Sequence, residues 1–322
     1  RYSDRLLSLV AWLVYETNTA AGMKIVFTGL PHFGKKLVAE LRDFDKKNTY
    51  VFCNTYYSKL DRFKFIFHLL TADRVVSING VSLKSGSLDY VIKRKKKLIL
   101  QWQGTDVTTA IKNANGRGLN RTYIDYAKSF TDAEWLKDEL KSLNIDAPIL
   151  HFKHFTPSEN VSPFQTADVV SYLSQGKEKF YGIEQLIELA TEFPQTKFHI
   201  VGSNGVGFSV PENIIFYGWV PAEKIMELLN EHAIFVRLTE HDGYSVSVLE
   251  AVANGNYVMW NHPHPCVVNL INSDNLIATF STLIENVNIA RKGRQLEHIA
   301  WAKIHLNRET ILSKYIDTIT SA

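Results

Sequence analysis

The sequence predicts an α/β protein of two Rossmann-like domains, each a parallel sheet flanked by helices, opposed across an interdomain cleft. Three observations predict it. Short apolar runs that read as buried strands alternate with amphipathic stretches that read as helices, the rhythm of parallel sheets. That rhythm breaks once, between Pro148 and Pro163, where the polar run Pro157-Ser-Glu-Asn-Val-Ser-Pro163 reads as a hinge, and then it restarts. The 322 residues, 45% hydrophobic and 21% charged, suffice for two cores. The expected division is an N-terminal extension over 1–22, a first domain over 23–160, a second over 161–305, and a C-terminal helix over 306–322 free to pack back on the first domain.

Residues 1–22 carry the longest apolar run, Leu6 to Tyr15. It falls short of the roughly 20 residues that span a bilayer. A helix packed on the body is expected, with an interfacial helix as the alternative. Met23-Lys-Ile-Val-Phe-Thr-Gly looks like a natural start, so 1–22 reads as an added or atypical extension.

Lys24–Gly29 reads as a buried first strand, Pro31-His-Phe-Gly34 as the loop after it, and Lys35–Arg42 as a helix. Strand, glycine loop and helix open a Rossmann-like unit, although Gly29 and Gly34 alone make no dinucleotide fingerprint. Tyr50–Cys53, Arg74–Ile78 and Leu98–Trp102 read as further strands, the last running to Gly104-Thr-Asp106. Thr131, with Glu134 three residues on, reads as a capping box opening a helix to Leu140. After the hinge come strands at Asp168–Leu173, Lys197–Gly202, Ile214–Gly218, 233–238 and Tyr257–Trp260. Helices are expected over Gly182–Glu192, 221–230 and 245–254, with helical segments from about 278 to 319.

Composition excludes more than it selects. A net charge of +3 is too mild to demand nucleic acid, and no nucleic-acid module surrounds the basic run Lys93-Arg-Lys-Lys-Lys97. That run reads as a solvated helix end, or as a patch drawn to an anionic membrane or lipid phosphate. Cys53 and Cys266 fit no metal spacing and make no disulfide framework. A reduced cytoplasmic setting is therefore expected, with the inner face of the membrane as a second location. Two prolines stiffen His262-Pro-His-Pro265, and no Asp-x-Asp element stands out as a metal-dependent site, so no metal is expected.

The chemistry concentrates in Arg237–Gly255. Ala233–Leu238 reads as a buried strand that runs through a glycine loop into a helix, the usual setting for a nucleotide in an open α/β sheet. Gly243 lets backbone approach a ligand. The amides of Tyr244, Ser245 and Val246 form a helix start suited to phosphate. Asp242 and Glu250, eight residues apart, supply carboxylates for hydroxyl groups. Phosphate amides beside two carboxylates suit a nucleotide sugar. The alternative is an ordinary N-capped helix with an apolar Val246, Val248, Leu249, Val252 face.

Asp242-Gly-Tyr-Ser-Val-Ser-Val-Leu-Glu-Ala-Val-Ala-Asn-Gly255 resembles the paired-acid motif of the retaining glycosyltransferases of family four, which have the GT-B fold; the likeness extends over most of 23–320. It implies that the first acid contacts the donor sugar and the second the ribose hydroxyls. Here the first acid is Asp, one methylene shorter than the family's Glu. Ser174–Gly182 resembles the loop that faces the diphosphate, with Lys177 and Lys179 as its cations and no Arg. Gly202-Ser-Asn-Gly-Val-Gly207 resembles the strand-end glycine loop of the donor domain. Tyr217-Gly-Trp-Val220 resembles the segment that reads the base, making Trp219 and Val220 donor-site candidates, with packing of Trp219 on the next helix as the alternative. Gln101–Asp106 resembles the family's His-Gly-x-Asp turn on the acceptor side, with Gln103 in the His place, then Gly104 and Asp106. Asp106 is expected to brace that turn. Gly29 and His32 match the first loop of the acceptor side.

What the resemblance implies is a metal-independent hexosyl transfer from a UDP-, GDP- or ADP-sugar to a glycan, lipid-linked or other hydroxyl acceptor, with no cofactor. Asp242, Lys179 and Glu250 would be its catalytic residues. A catalytically silent GT-B protein that binds a sugar or a partner enzyme is the second reading.

Overall fold

The computed structural model describes residues 22–270 and 275–322; the expectations for 1–21 lie outside the described residues. The chain divides into two compact units, the first running to Phe152 and including Lys314–Ala322, the second spanning Lys153–Ser313.

The first unit holds a sheet of β1 (Lys24–Gly29), β2 (Thr49–Phe52), β3 (Arg74–Ile78), β4 (Lys97–Gln101) and β5 (Lys128–Phe130). The order is β2-β1-β3-β4-β5 and every pairing is parallel. β3 is buried at every position, as a parallel strand covered on both faces must be. Its helices are α1 (Pro31–Phe44), α2 (Lys59–Thr71), α3 (Gly86–Lys93), α4 (Thr105–Ala114), α5 (Arg121–Tyr126) and α6 (Glu134–Ser142).

Two sequence expectations are corrected here. Pro31–Gly34 is not loop but the first turn of α1. Proline at the first helical position has a favourable φ and gives up an N–H that would have no helical partner. The capping box at Thr131 does not form, because α6 starts at Glu134 behind Ala133. Thr131 is drawn instead into the sheet edge after β5, where its N–H donates to Pro148 and its carbonyl accepts from Leu150.

The second unit holds β6 (Thr166–Tyr172), β7 (Phe198–Val201), β8 (Ile214–Gly218), β9 (His232–Arg237), β10 (Tyr257–Trp260) and β11 (Val268–Asn269). Their order is β11-β10-β9-β6-β7-β8, again all parallel. Around them lie α7 (Ile183–Glu192), α8 (Ala222–Glu231), α9 (Val246–Ala253), α10 (Leu276–Ile289) and α11 (Leu296–His305). The main core joins Val169, Leu186, Phe198, Ile234, Met259 and Phe280. A last helix, α12 (Arg308–Ser321), carries the chain from the second unit back to the first. Within the first unit the Tyr315 ring meets Phe152 with centroids 6.0 Å apart. Among the described residues no helix is long and apolar enough to cross a membrane.

Strand order positions the site. From β6 the second sheet grows one way through β7 and β8, and from β9 the other way through β10 and β11. The adjacent carboxyl ends of β6 and β9 are therefore a topological switch point, where open α/β sheets form a ligand crevice. β1 and β3 stand in the same relation in the first sheet.

Candidate functional site

Both loops singled out in the second domain leave that switch point: Ser174–Gly182 follows β6, and the segment from Leu238 to Ser245 follows β9. They are tied together. The Phe180 carbonyl accepts from the Glu240 N–H at 2.9 Å and the Thr239 hydroxyl at 3.1 Å. Gly182 has φ +85°, and a Cβ there would stand 2.0 Å from the Leu238 carbonyl oxygen. No other residue lets the two backbones pass so closely.

Arg237, the last residue of β9, is only 7% exposed. Its Nε donates to Asp242 Oδ2 at 2.5 Å, and its guanidinium lies 5.2 Å from the Tyr181 ring centroid and 5.9 Å from that of Tyr172. Burial pulls the guanidinium pKa down, but the Asp242 carboxylate outweighs it and the net shift is upward. The other carboxylate oxygen of Asp242 accepts from the Gly243 N–H at 3.0 Å. Asp242 is thus fixed on both oxygens before any ligand arrives. The sequence reading gave Arg237 no role; a charged residue within the otherwise apolar run Ala233–Leu238 was the signal for it.

α9 begins at Val246 with Ser245 as its N-cap, one residue later than expected. The Ser245 side chain makes no cap hydrogen bond, which leaves the helix start to whatever lies before it. Upstream, Lys153 Nζ donates to the Tyr244 carbonyl at 2.6 Å. Glu250 is half-buried, one turn into α9.

In the Ser174–Gly182 loop the buried charged side chain is Glu178, which sequence reasoning passed over. It accepts from the Ser203 hydroxyl at 2.6 Å and the Gly176 N–H at 3.0 Å. Burial would raise its pKa, but these hydrogen bonds prevail and hold it below the ordinary carboxylate value. Lys177 and Lys179 are exposed, and Lys179 pairs with Glu184 at 2.9 Å. Through Ser203 the loop is coupled to the Gly202 turn. Gly202 has φ +88°, donates to the Gly218 carbonyl at 2.6 Å, and would place a Cβ 2.4 Å from the Leu173 carbonyl oxygen. Trp219 follows Gly218 and is 84% exposed, which corrects the alternative of packing on the next helix; Val220 is half-buried.

The acceptor-side candidates all lie in the first unit. Gly29, with φ +102°, ends β1 where a Cβ would stand 2.5 Å from the Ile78 carbonyl oxygen. His32 is exposed on the first turn of α1. Gln103 is 9% exposed; its Nε2 donates to the Trp102 carbonyl at 3.0 Å while its Oε1 is buried without a partner. Gly104, φ +133°, caps α4. Asp106 is buried and accepts from the N–H groups of Gly80, Gln103, Gly104 and Val107. Burial raises its pKa despite those four donors.

No family model matches the sequence, and no curated protein matches it. Solved structures do. Sucrose-phosphate synthase from Thermosynechococcus elongatus aligns with a TM-score of 0.65 at 11% identity, covering 93% of this chain and 100% of that one. The lipopolysaccharide outer core galactosyltransferase WaaB aligns at 0.60 and 15% identity, covering 93% and 99%. TarM from S. aureus, solved with Fondaparinux, alpha-GlcNAc-glycerol and UDP, aligns at 0.55 and 15% identity over 80% of this chain. The chain spans 58% of TarM and 59% of the pneumococcal O-GlcNAc transferase GtfA. At these identities the likeness establishes the fold: this chain has the GT-B fold of these glycosyltransferases.

Proposed function

We propose that this GT-B chain is a retaining glycosyltransferase that moves a hexose from a nucleotide sugar to a hydroxyl of a glycan or lipid-linked acceptor. The observation that carries the reading is the convergence, at the β6/β9 switch point, of a paired-acid segment, a helix start and a cation-bearing loop. In this reading the first amides of α9 hold the donor diphosphate, with Lys177 and Lys179 offsetting the charge that grows on the leaving group. Glu250 holds the ribose hydroxyls and Asp242 the transferred sugar. Arg237 holds Asp242 in place, so a carboxylate one methylene shorter than the family's Glu still has a fixed position. No metal is needed at the diphosphate. Gln103 can hydrogen-bond a hydroxyl but takes no proton at neutral pH, so the acceptor proton goes to the departing phosphate oxygen as the new glycosidic bond forms.

The test is calorimetry against UDP, GDP, ADP and their common sugar conjugates, with turnover followed by release of the nucleoside diphosphate. One nucleotide should bind, and Glu250→Ala should cut its affinity and kcat/KM at least tenfold, about 1.4 kcal/mol or more. Unchanged constants in a folded variant would remove Glu250 from the site. The engagement of Asp242 by Arg237 favours a second reading, a GT-B protein that binds a sugar without transferring it. Donor binding with neither transfer nor hydrolysis would select that one.

A further inference from the structure

At the opposite, amino-terminal edge of the second sheet, three side chains converge that the donor reading does not use. Asp168, His199 and His232 come from β6, β7 and β9, which are neighbours in the sheet. β9 runs from His232 to Arg237, so at about 3.3 Å per residue the cluster lies roughly 17 Å from the loops at the carboxyl ends.

Asp168 Oδ2 stands 3.9 Å from His199 Nε2 and 4.0 Å from His232 Nδ1. These separations are too long for hydrogen bonds. Among the described residues this is the one group of three His, Cys, Asp or Glu side chains whose ligand atoms lie within 4.8 Å of one another. A point equidistant from three such atoms is about 2.5 Å or less from each, close to the 2.0–2.2 Å of zinc–nitrogen and zinc–oxygen bonds. His199 is 6% exposed, and its Nε2 is buried with no hydrogen-bond partner while facing Asp168. A buried ring nitrogen without a partner beside a carboxylate is open to a ligand.

Two of the three side chains are backed by hydrogen bonds of the kind that orient metal ligands. Tyr217 holds His199 Nδ1 at 2.9 Å, which leaves Nε2 pointing inward. Glu231 Oε2 lies 3.7 Å from His232 Nε2, on the ring edge away from the cluster. The Lys197 N–H donates to Asp168 Oδ1 at 2.9 Å and leaves Oδ2 available. Fixed hydrogen bonds such as those behind His199 and Asp168 are usual supports of a metal centre, whereas the Glu231 carboxylate stands too far from His232 for one.

We propose that Asp168, His199 and His232 form a site for one divalent transition metal of the zinc class, which ties β7, β6 and β9 together and keeps a further position for water. Binding has a conformational requirement. The two imidazoles stand stacked, with centroids 3.9 Å apart and planes 12° from parallel. A bound metal lies in the plane of each imidazole, so ligation must splay the rings, and His232 Nδ1 must exchange the Thr166 hydroxyl, now 2.8 Å away, for the metal. Sequence spacing hides the site, because its members are 31 and 33 residues apart (199 − 168 and 232 − 199) on separate strands.

The test uses tag-free, chelator-stripped protein titrated with zinc by calorimetry and with cobalt(II) by visible absorption. One equivalent should bind, zinc should raise Tm, and His199→Gln and Asp168→Asn should each weaken binding at least tenfold and abolish the Tm rise. No stoichiometric binding to the wild-type protein overturns the proposal. So does unchanged affinity in folded His199→Gln, which would place the ion elsewhere, as at His262 and His264. Should the variants fail to fold, long-range proton–nitrogen spectra of the wild-type histidine rings decide it: the His199 Nε2 resonance must move on adding zinc, and a stationary one rejects the site. None of these readouts depends on the donor assignment.

Discussion

Asp106 and Asp242 are carboxylates in glycine-containing turns, and their surroundings give them different work. Backbone N–H groups of Gly80, Gln103, Gly104 and Val107 all donate to Asp106, so it has no face left for a substrate proton. The bracing role inferred from the Gln101–Asp106 turn agrees with this. Asp106→Asn would turn an NH2 group against these donors, at about 2 kcal/mol or more of stability. Urea unfolding should show that loss; a folded variant of full stability with lost turnover would make Asp106 a reagent instead. The Arg237–Asp242 pair was not legible in the sequence. It depends on a chain reversal between residues five apart and on the rings of Tyr172 and Tyr181, which reach Arg237 through a different strand and loop. Motif spacing singled out Asp242 and Glu250 as candidates, whereas the counter-ion of Asp242 emerges only from folding.

At the scale of the element, strands were the most readable parts. β1, β3, β8 and β10 have the bounds their apolar runs suggested. Helix starts were less so, because the same Thr or Pro can end a strand or open a helix, and tertiary contacts choose between them, as Thr131 and Pro31 show. α2 presents a feature that periodicity alone did not reveal. Phe65, His68 and Leu69 face the core, while Leu60, Phe63, Phe67 and Leu70 are exposed at 65%, 65%, 53% and 49%. Exposed Lys59, Arg62 and Lys64 flank this stripe, and Lys96 of the basic run reaches the Leu70 carbonyl at 3.4 Å. An apolar stripe rimmed by cations suits an anionic bilayer, with each cation contributing about 1 kcal/mol near the surface. The protein should therefore co-sediment with vesicles rich in anionic lipid more than with neutral ones. Phe63→Asp should lower that partitioning about tenfold, in line with the burial of one aromatic side chain. Equal sedimentation of the wild type with both vesicle types would remove α2 as a membrane face.

For the whole molecule, alternating strands and helices announced the class, but strand order had to come from the structure. The switch points follow from which helix crosses which face of each sheet, a choice governed by packing and chirality rather than by local sequence. Stability as a function of pH is likewise a property of the assembled chain. Burial, aided by nearby cations at His68 and by His298 and His305 at His264, lowers both histidines to about 4 from an ordinary 6.5. Unfolded, both bind protons below 6.5; folded, they resist until about 4. Unfolding therefore takes up protons in that window, so stability is complete above it and declines as pH falls, by about 1.4 kcal/mol per pH unit for each proton taken up. Urea denaturation from pH 7 to 4 should show this slope, and His68→Gln should flatten it; a pH-independent midpoint would contradict both assignments.

The path of α12 also sets a schedule for synthesis. Tyr315 and Ile319 are fully buried, and the Ala322 carbonyl accepts from Arg74 and Lys97. At roughly 5–20 residues per second, the ribosome reaches Lys314 about ten to thirty seconds after Phe152. Throughout that interval the nascent first unit has its strands but lacks its closing piece, while the second unit is made and can fold. The first unit is thus begun before the second and completed after it.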